Sequence, residues 1–221
     1  MSGVLEARSL FRFFHAGDDE TLALQGVSLS LAPGDVVAVM GPSGSGKSTL
    51  LACLAGLDEP DGGTVELAGE RLSRRPEEER ARLRGRSIGM LYQESNLVGH
   101  LSLEANVALA QRLSAADTGA DWRREVLESC GVARRAHALA NQLSGGELAR
   151  GGLAVALAAD PAVVLADEPT GELDEDSASR IVDLLRARAD GGTAVLVVTH
   201  SPDVAARADR RVSLRDGRVA E

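Results

Sequence analysis

Residues Gly41–Ser48 read GPSGSGKS and match the pattern GxxxxGK(S/T) without departure. The apolar run Val36–Met40 precedes them, and a helix-forming run, Ser48–Leu57, follows. A strand that feeds a glycine-rich loop and then a helix constrains the fold more than any other feature of the chain. Gly41, Gly44 and Gly46 let the backbone curl so that successive N–H groups face phosphate oxygens, and Pro42, Ser43 and Ser45 complete the cradle. The helix start adds a partial positive charge. In such a loop Lys47 reaches the β- and γ-phosphates, the Ser48 hydroxyl ligates Mg2+, and Thr49 faces the α-phosphate region. Lys47 is the only lysine in the chain, which fits a position that needs a compact ammonium and not a planar guanidinium.

Further strands are expected at Thr64–Leu67 and Ile88–Tyr92, and buried ones at Val163–Ala166 and Ala194–Thr199. Helices are expected at Ser73–Arg86, over most of Glu94 to about Asp160, at Ser177–Ala189 and from Ser201, with Ser201 as N-cap and Pro202 at the first helical position. Residues 4–31 read as short antiparallel strands, with a turn within His15–Glu20. A terminal hairpin is expected around Asp216-Gly217. Buried strands alternating with helices indicate an α/β layered fold with a mainly parallel sheet. The hydrophobic fraction of 44% suffices for a core, although aromatics are only 2%, so Leu, Val and Ala must fill it. The apolar runs are strand-sized, far below the roughly 20 residues of a spanning helix. The N-terminal residues lack a signal-peptide pattern, and Cys53 and Cys130 are isolated, so a cytoplasmic location is expected. A net charge of −9 argues against broad binding to nucleic acid or anionic lipid.

Val163–Ala166 runs into Asp167-Glu168. An apolar strand ending in two carboxylates places them at the strand's C-terminal edge, where open α/β sheets bind ligands. With a phosphate loop upstream, Asp167 is expected to hold Mg2+, chiefly through water, and Glu168 to polarise an attacking water.

Leu143-Ser144-Gly145-Gly146-Glu147 is similar to the LSGG(Q/E) signature of the ABC (ATP-binding cassette) ATPases, and LADEPTGELD (Leu165–Asp174) resembles their acid motif and the loop after it. The order of phosphate loop, Gln93, signature, Asp167-Glu168, Asp174 and His200 is the family's order, and the resemblance covers essentially the whole chain. It implies an α/β P-loop NTPase (RecA-like) core with a mainly parallel sheet, a small antiparallel β subdomain and an inserted helical subdomain. Residues 1–221 would then form one domain, with 93–160 as the helical insert between core segments 1–92 and 161–221. The resemblance implies ATP and Mg2+ as ligands and catalytic roles for Lys47, Glu168 and His200. Gln93 becomes a contact to Mg2+ and water, and Asp174 joins the nucleotide-binding set. Phe14 aligns with the aromatic residue that stacks on adenine, although Phe11 and Phe13 lie close enough to compete. Ser144, Gly145, Gly146 and Glu147 lead a helix and form a second anion site. In the family the two phosphate-binding surfaces meet only across a head-to-tail dimer.

The chain departs from the family at LARGGLAVAL, where Gly151-Gly152 replace better helix formers and Val155 stands where Arg is usual. Ser201 replaces an acidic residue. The string after the acid pair, Asn96–Ser102 and the terminal hairpin look like the lipoprotein-release and macrolide-export subfamily, with the cell-division ATPase closely similar. The resemblance implies a second copy of the chain and an integral-membrane permease as partners, at the inner face of the cell membrane. Soluble ABC proteins of DNA repair or translation stand as the other class. They carry a long coiled coil or two cassettes, which this chain lacks.

Overall fold

The computed structural model describes residues 3–16, 19–93, 96–114 and 118–220, with the backbone alone at 15, 16, 19 and 20. Strands β1 (Leu5–Ala16) and β2 (Asp19–Leu31) pair antiparallel, and with β4 (Gly62–Leu67) and β5 (Glu70–Arg71) they form a four-stranded sheet in the order β2-β1-β4-β5. They are two long strands, not the expected short ones. Register shifts after Ala7, Leu10 and Arg12 break the alternation that would reveal their length. The tip of the expected turn, residues 17 and 18, lies outside the described residues.

The second sheet has six strands in the order β10-β9-β3-β8-β7-β6. These are β3 (Val36–Met40), β6 (Ile88–Leu91), β7 (Val163–Asp167), β8 (Ala194–Val198), β9 (Arg210–Arg215) and β10 (Arg218–Ala220). All run parallel except β10, the return arm of the terminal hairpin. Alternate side chains go to opposite faces, as the strand period of two demands. Val37, Val39, Val163, Leu165, Leu196 and Val198 join one core with the antiparallel sheet and α1 (Lys47–Leu54). Val36, Val164, Ala166, Val195 and Val197 join a second core under the helices. Both faces are covered, which explains why the strands read as continuous apolar runs.

The helical layer comprises α3 (Leu103–Ser114), α4 (Gly119–Ser129), α5 (Gly145–Ala156) and α6 (Glu175–Asp190), while α2 (Glu77–Ser87) packs on the edge strand β6 and α7 (Pro202–Ala206) on the interior strand β3. Pro76 caps α2 in an extended conformation, so the expected start at Ser73 gives way to Glu77. Asp174 caps α6 through Oδ1, which accepts from Ser177 N at 3.0 Å, so that helix begins before Ser177. Residues 96–102 are not helical. Asn96 Oδ1 accepts from Tyr92 N at 3.0 Å, and Asn106 Oδ1 accepts from Val98 N at 2.7 Å. Asn106 Nδ2 donates to the carbonyls of Leu101 and Ser102. These side chains satisfy the loop backbone that a helix would otherwise have to pair.

The packing of α5 accounts for Gly151 and leaves Gly152 without a structural explanation. A Cβ on Gly151 would lie 3.0 Å from Leu103 Cδ1, whereas one on Gly152 would meet Leu91 and Asn96 at 3.4 and 3.5 Å, ordinary contact. Gly152→Ala should therefore stabilise the fold by about 1 kcal/mol through helix propensity. Gly151→Ala should lose that gain, because the fully buried Leu103 must shift. Urea midpoints of the two variants check the difference, and equal midpoints would contradict the packing argument.

Candidate active site

The glycine loop leaves β3 and turns into α1 through Gly41, Gly44 and Gly46, all at positive φ. Two of these positions also admit no Cβ: it would lie 2.1 Å from Leu214 O at Gly41 and 2.3 Å from Ala23 O at Gly46. The loop is thus wedged between the backbones of β9 and β2. Its hydrogen bonds complete the wedge. Gly217 N donates to Ser45 O at 3.1 Å, and Gln25 N donates to Gly217 O at 2.7 Å. Lys47 Nζ donates to the carbonyls of Gly41 and Pro42 at 2.8 and 2.9 Å, which holds the cation over the mouth of the loop. Ser45 Oγ is buried without a partner among the described residues.

A cleft of about 490 Å³ runs from this loop to Phe14. Ser43, Gly44, Gly46, Lys47, Ser48 and Thr49 line it on the loop side. Phe14 is 41% exposed there, whereas the ring of Phe11 packs on Gly26 and Gly62. The geometry therefore places Phe14, and not Phe11, beside the phosphate loop. Thr21, Ala23 and Asp216 share the cleft. Sequence reading missed them, because only the long-range pairing of β2 and the terminal hairpin brings them there.

Asp167 ends β7 beside Val198 of β8, and Glu168 N continues the ladder by donating to Val198 O at 2.9 Å. Glu168 adopts φ 44°, a left-handed conformation that costs a non-glycine residue energy and persists only where its surroundings impose it. Its Oε2 lies 2.9 Å from His200 Nδ1 and accepts from His200 N at 3.3 Å. Glu168 is nearly covered while His200 is open. Burial pushes the Asp167 carboxyl above the ordinary range. The charge of Glu168 adds to that, and Lys47 opposes it. Lys47, Asp167, Glu168 and His200 thus form one electrostatic group at the C-terminal edge of the sheet.

Gln93 stands beside Gly171, and both line a cavity of about 230 Å³ with Glu168, Gly145 and Leu148. The signature residues lie elsewhere than the phosphate-loop cleft, whose lining contains none of them. Ser144 caps α5, with Glu147 N donating to its Oγ at 3.3 Å. Ser144 N in turn donates to Glu147 Oε2 at 2.9 Å. The spacing Ser-x-x-Glu is the sequence signal of this capping box. The Ser144 backbone N–H, first among several causes, holds the Glu147 carboxyl below the usual range. Asp174 lies close by through Ser177, whose Oγ would sit 2.5 Å from a Cβ on Gly146. His100 and His137 are exposed and stand apart from the sheet edge that carries Glu168 and His200.

A family model described as ABC transporter matches residues 24–171. The chain is 44% identical over 218 residues to the lipoprotein-releasing system ATP-binding protein LolD of Bordetella pertussis, covering 97% of this chain and 94% of that protein. It is 37% identical to the macrolide export ATP-binding/permease protein MacB of Bdellovibrio bacteriovorus, spanning 97% of this chain and 33% of the relative. Among solved structures, a dimeric post-hydrolysis state of the ATP-binding cassette MJ0796 bound to ADP and Pi superposes with a TM-score of 0.89. That match has 33% identity and covers 98% of this chain and 97% of that one.

The raised Asp167 carboxyl has a stability consequence. A carboxyl that binds its proton more tightly folded than unfolded favours the native state when protonated, so its contribution falls as pH rises from its ordinary value of 3.8 through the raised one. Asp167→Asn removes the half-buried charge. The ligand-free variant should melt above wild type at pH 7, and the gap should close as the pH drops toward 4. Thermal melts across that range check it, and a lower melting temperature at pH 7 would contradict it.

Proposed function

The chain belongs to the ABC transporter family of ATP-binding proteins, and from that membership we propose that two copies sandwich two ATP molecules and drive a separate membrane permease. Binding and hydrolysis of ATP come with the family. The dimer rests on one observation above all. The cleft holding Lys47 and the helix start at Ser144 are different surfaces of the chain, so one triphosphate can use both only if the second comes from another copy. The proposed task is export or extraction of a lipoprotein, peptide or drug, and the names of the relatives carry lipoprotein release and macrolide export.

In this reading the loop from Gly41 to Thr49 wraps the triphosphate, Lys47 neutralises its β- and γ-oxygens, and Phe14 stacks on the base. Ser48, Gln93 and Asp167 would hold Mg2+. Among the described residues no cluster of three His, Cys, Asp or Glu could hold a cation alone. The set offers one carboxylate, Asp167, and Mg2+ relies on one or two carboxylates together with phosphate oxygens and water. When bound, the ion supplies charge neutralisation on the phosphates. Glu168 polarises the attacking water and takes its proton, while His200 fixes the Glu168 carboxylate and reaches toward the γ-phosphate. Ser144, Gly145, Gly146 and Glu147, with Asp174 nearby, would complete the site from the other copy.

No helix among the described residues is long and apolar enough to cross a membrane. Attachment at the cytoplasmic face would come through the permease. A mainly apolar groove of about 710 Å³ lies between α2, α3 and the segment after β6, with Tyr92, Val98 and the largely exposed Leu113 along it. It adjoins the stretch Gln93–Val107 and supports docking there. The double variant Val98→Asp with Leu113→Asp should lose co-purification with the permease while keeping ATP binding. Retained co-purification would move the docking site elsewhere.

The dimer has its own test. Glu168→Gln keeps size and hydrogen bonding but loses the base, so ATP persists and holds the copies together by mass action. Light scattering should find this variant dimeric with ATP and monomeric with ADP. Adding Ser144→Arg should return it to a monomer with ATP still bound. A doubly substituted protein that stays dimeric would overturn the sandwich.

A further inference from the structure

Phe14 carries a cation on one ring face: the Arg12 guanidinium carbon lies 4.7 Å from the ring centroid. That guanidinium is tied in place. Its Nε and Nη2 donate to the two carboxylate oxygens of Asp58 at 2.8 and 2.9 Å, and its Nη1 donates to Asp61 Oδ2 at 3.1 Å. Asp61 is itself anchored to β1. Its Oδ2 accepts from Phe13 N at 2.8 Å, and its backbone N donates to Phe11 O at 2.9 Å. Asp58 and Asp61 sit between α1 and β4, just beyond the helix that the phosphate loop opens. A continuous set of contacts therefore runs from the phosphate loop through α1 to Arg12 and the ring. The Arg12 side chain is 22% exposed, and Phe14 is 41% exposed. The cation is covered and the ring is open.

We propose that Arg12 is a positioning residue for the nucleotide base: it occupies one face of Phe14 and fixes the ring so that the purine stacks on the other. The proposal rests on the reading of Phe14 as the base-stacking residue and adds to it the group that sets the ring's orientation. A cation over an aromatic face is held by the ring quadrupole. A ring already held in its bound orientation gives up less side-chain freedom when the base arrives. A bidentate guanidinium suits this task because its planar fork is fixed by one carboxylate while its flat face stays available to the ring.

The test is calorimetry on the full chain with two ligands, ATP and inorganic tripolyphosphate. The first engages the base site and the phosphate loop, and the second engages the loop alone. Arg12→Met should weaken ATP by about three- to fivefold, the scale of a partly exposed cation–π contact, and leave tripolyphosphate unchanged. In a Phe14→Leu background the same change should cost nothing further. Arg12→Lys, which keeps a cation within reach of Asp58 but loses the fork, carries the test if Arg12→Met does not fold, and should show the same pattern with a smaller loss. If Phe14→Leu weakens ATP while both Arg12 variants bind like wild type, the positioning role falls and the base assignment stands. If Phe14→Leu binds ATP like wild type, the base assignment falls and takes the positioning role with it. Equal losses for ATP and tripolyphosphate, or an undiminished Arg12 effect in the Phe14→Leu background, would also overturn the proposal.

Discussion

The site depends on how closely three backbones approach at the glycine loop. Gly41 lies against Leu214 of β9 and Gly46 against Ala23 of β2, with no room for a Cβ at either place. The Asp216-Gly217 turn bonds to both the loop and β2 through Ser45 and Gln25. Two segments from the first quarter of the chain and one from its end thus meet at one point. The loop conformation is set by backbone contacts before any phosphate arrives, so its N–H groups need little reorganisation to bind one. Side chains at the same place follow from this arrangement. Lys47 lies over the loop because the Gly41 and Pro42 carbonyls hold it, and Asp216 reaches the cleft because its turn is pinned there.

The acid edge of the sheet shows the cost of function in electrostatic terms. Two carboxylates at adjacent positions, one half-buried and one nearly covered, repel each other, and Lys47 offsets that only in part. Glu168 adds backbone strain. A stable sheet would end β7 with neutral residues. The pair persists because the ladder bond from Glu168 N to Val198 O and the contacts with His200 hold it, at the ends of two strands fully buried on both faces. A rigid, apolar sheet carries the charged edge, and loops alone would not hold it as firmly.

What the sequence made legible follows the same division. β3, β7 and β8 stood out because strands covered on both faces read as unbroken apolar runs. The phosphate loop stood out because its chemistry tolerates few residue types. β1 and β2 read as shorter than they are, since bulges near Ser9 and Phe13 interrupt the alternation. The stretch 96–102 reads as helix only because it falls within the long helical pattern from Glu94, although Asn96, Val98, Gly99, His100 and Ser102 are weak helix formers. Asn96 and Asn106 reverse that outcome through bonds to specific backbone atoms, which no propensity reveals. The start of α6 was legible in principle, since Asp174 precedes Ser177 at capping distance, yet the helix was read from its apolar face instead. Arg12 gave no local signal at all. Its meaning comes from Asp58 and Asp61, which stand far along the chain and reach it only when β1 and β4 pair.

The start of α5 shows how local capping and ligand chemistry divide one set of donors. A helix begins with four N–H groups that lack intrahelical partners. Glu147 N bonds to Ser144 Oγ, and Ser144 N bonds to Glu147 Oε2, so the capping box uses the two outer donors. The donors left at the helix start belong to Gly145 and Gly146. The glycines themselves serve different needs. A Cβ at Gly145 would meet only Leu173 at 4.0 Å, so the position is open, and a bare backbone there lets an oxygen approach closely. A Cβ at Gly146 would lie 2.5 Å from Ser177 Oγ and 3.2 Å from Ser177 Cβ, so α6 packs closely on this glycine and Ser177 would have to turn aside for any side chain there. The Glu147 carboxylate sits on the positive helix end, where it would repel an incoming phosphate, and Arg135, 3.2 Å from its Oε1, offsets that charge. The capping box thus fixes the orientation of the two glycine N–H groups without consuming them, and that is the condition an anion site at a helix start must meet.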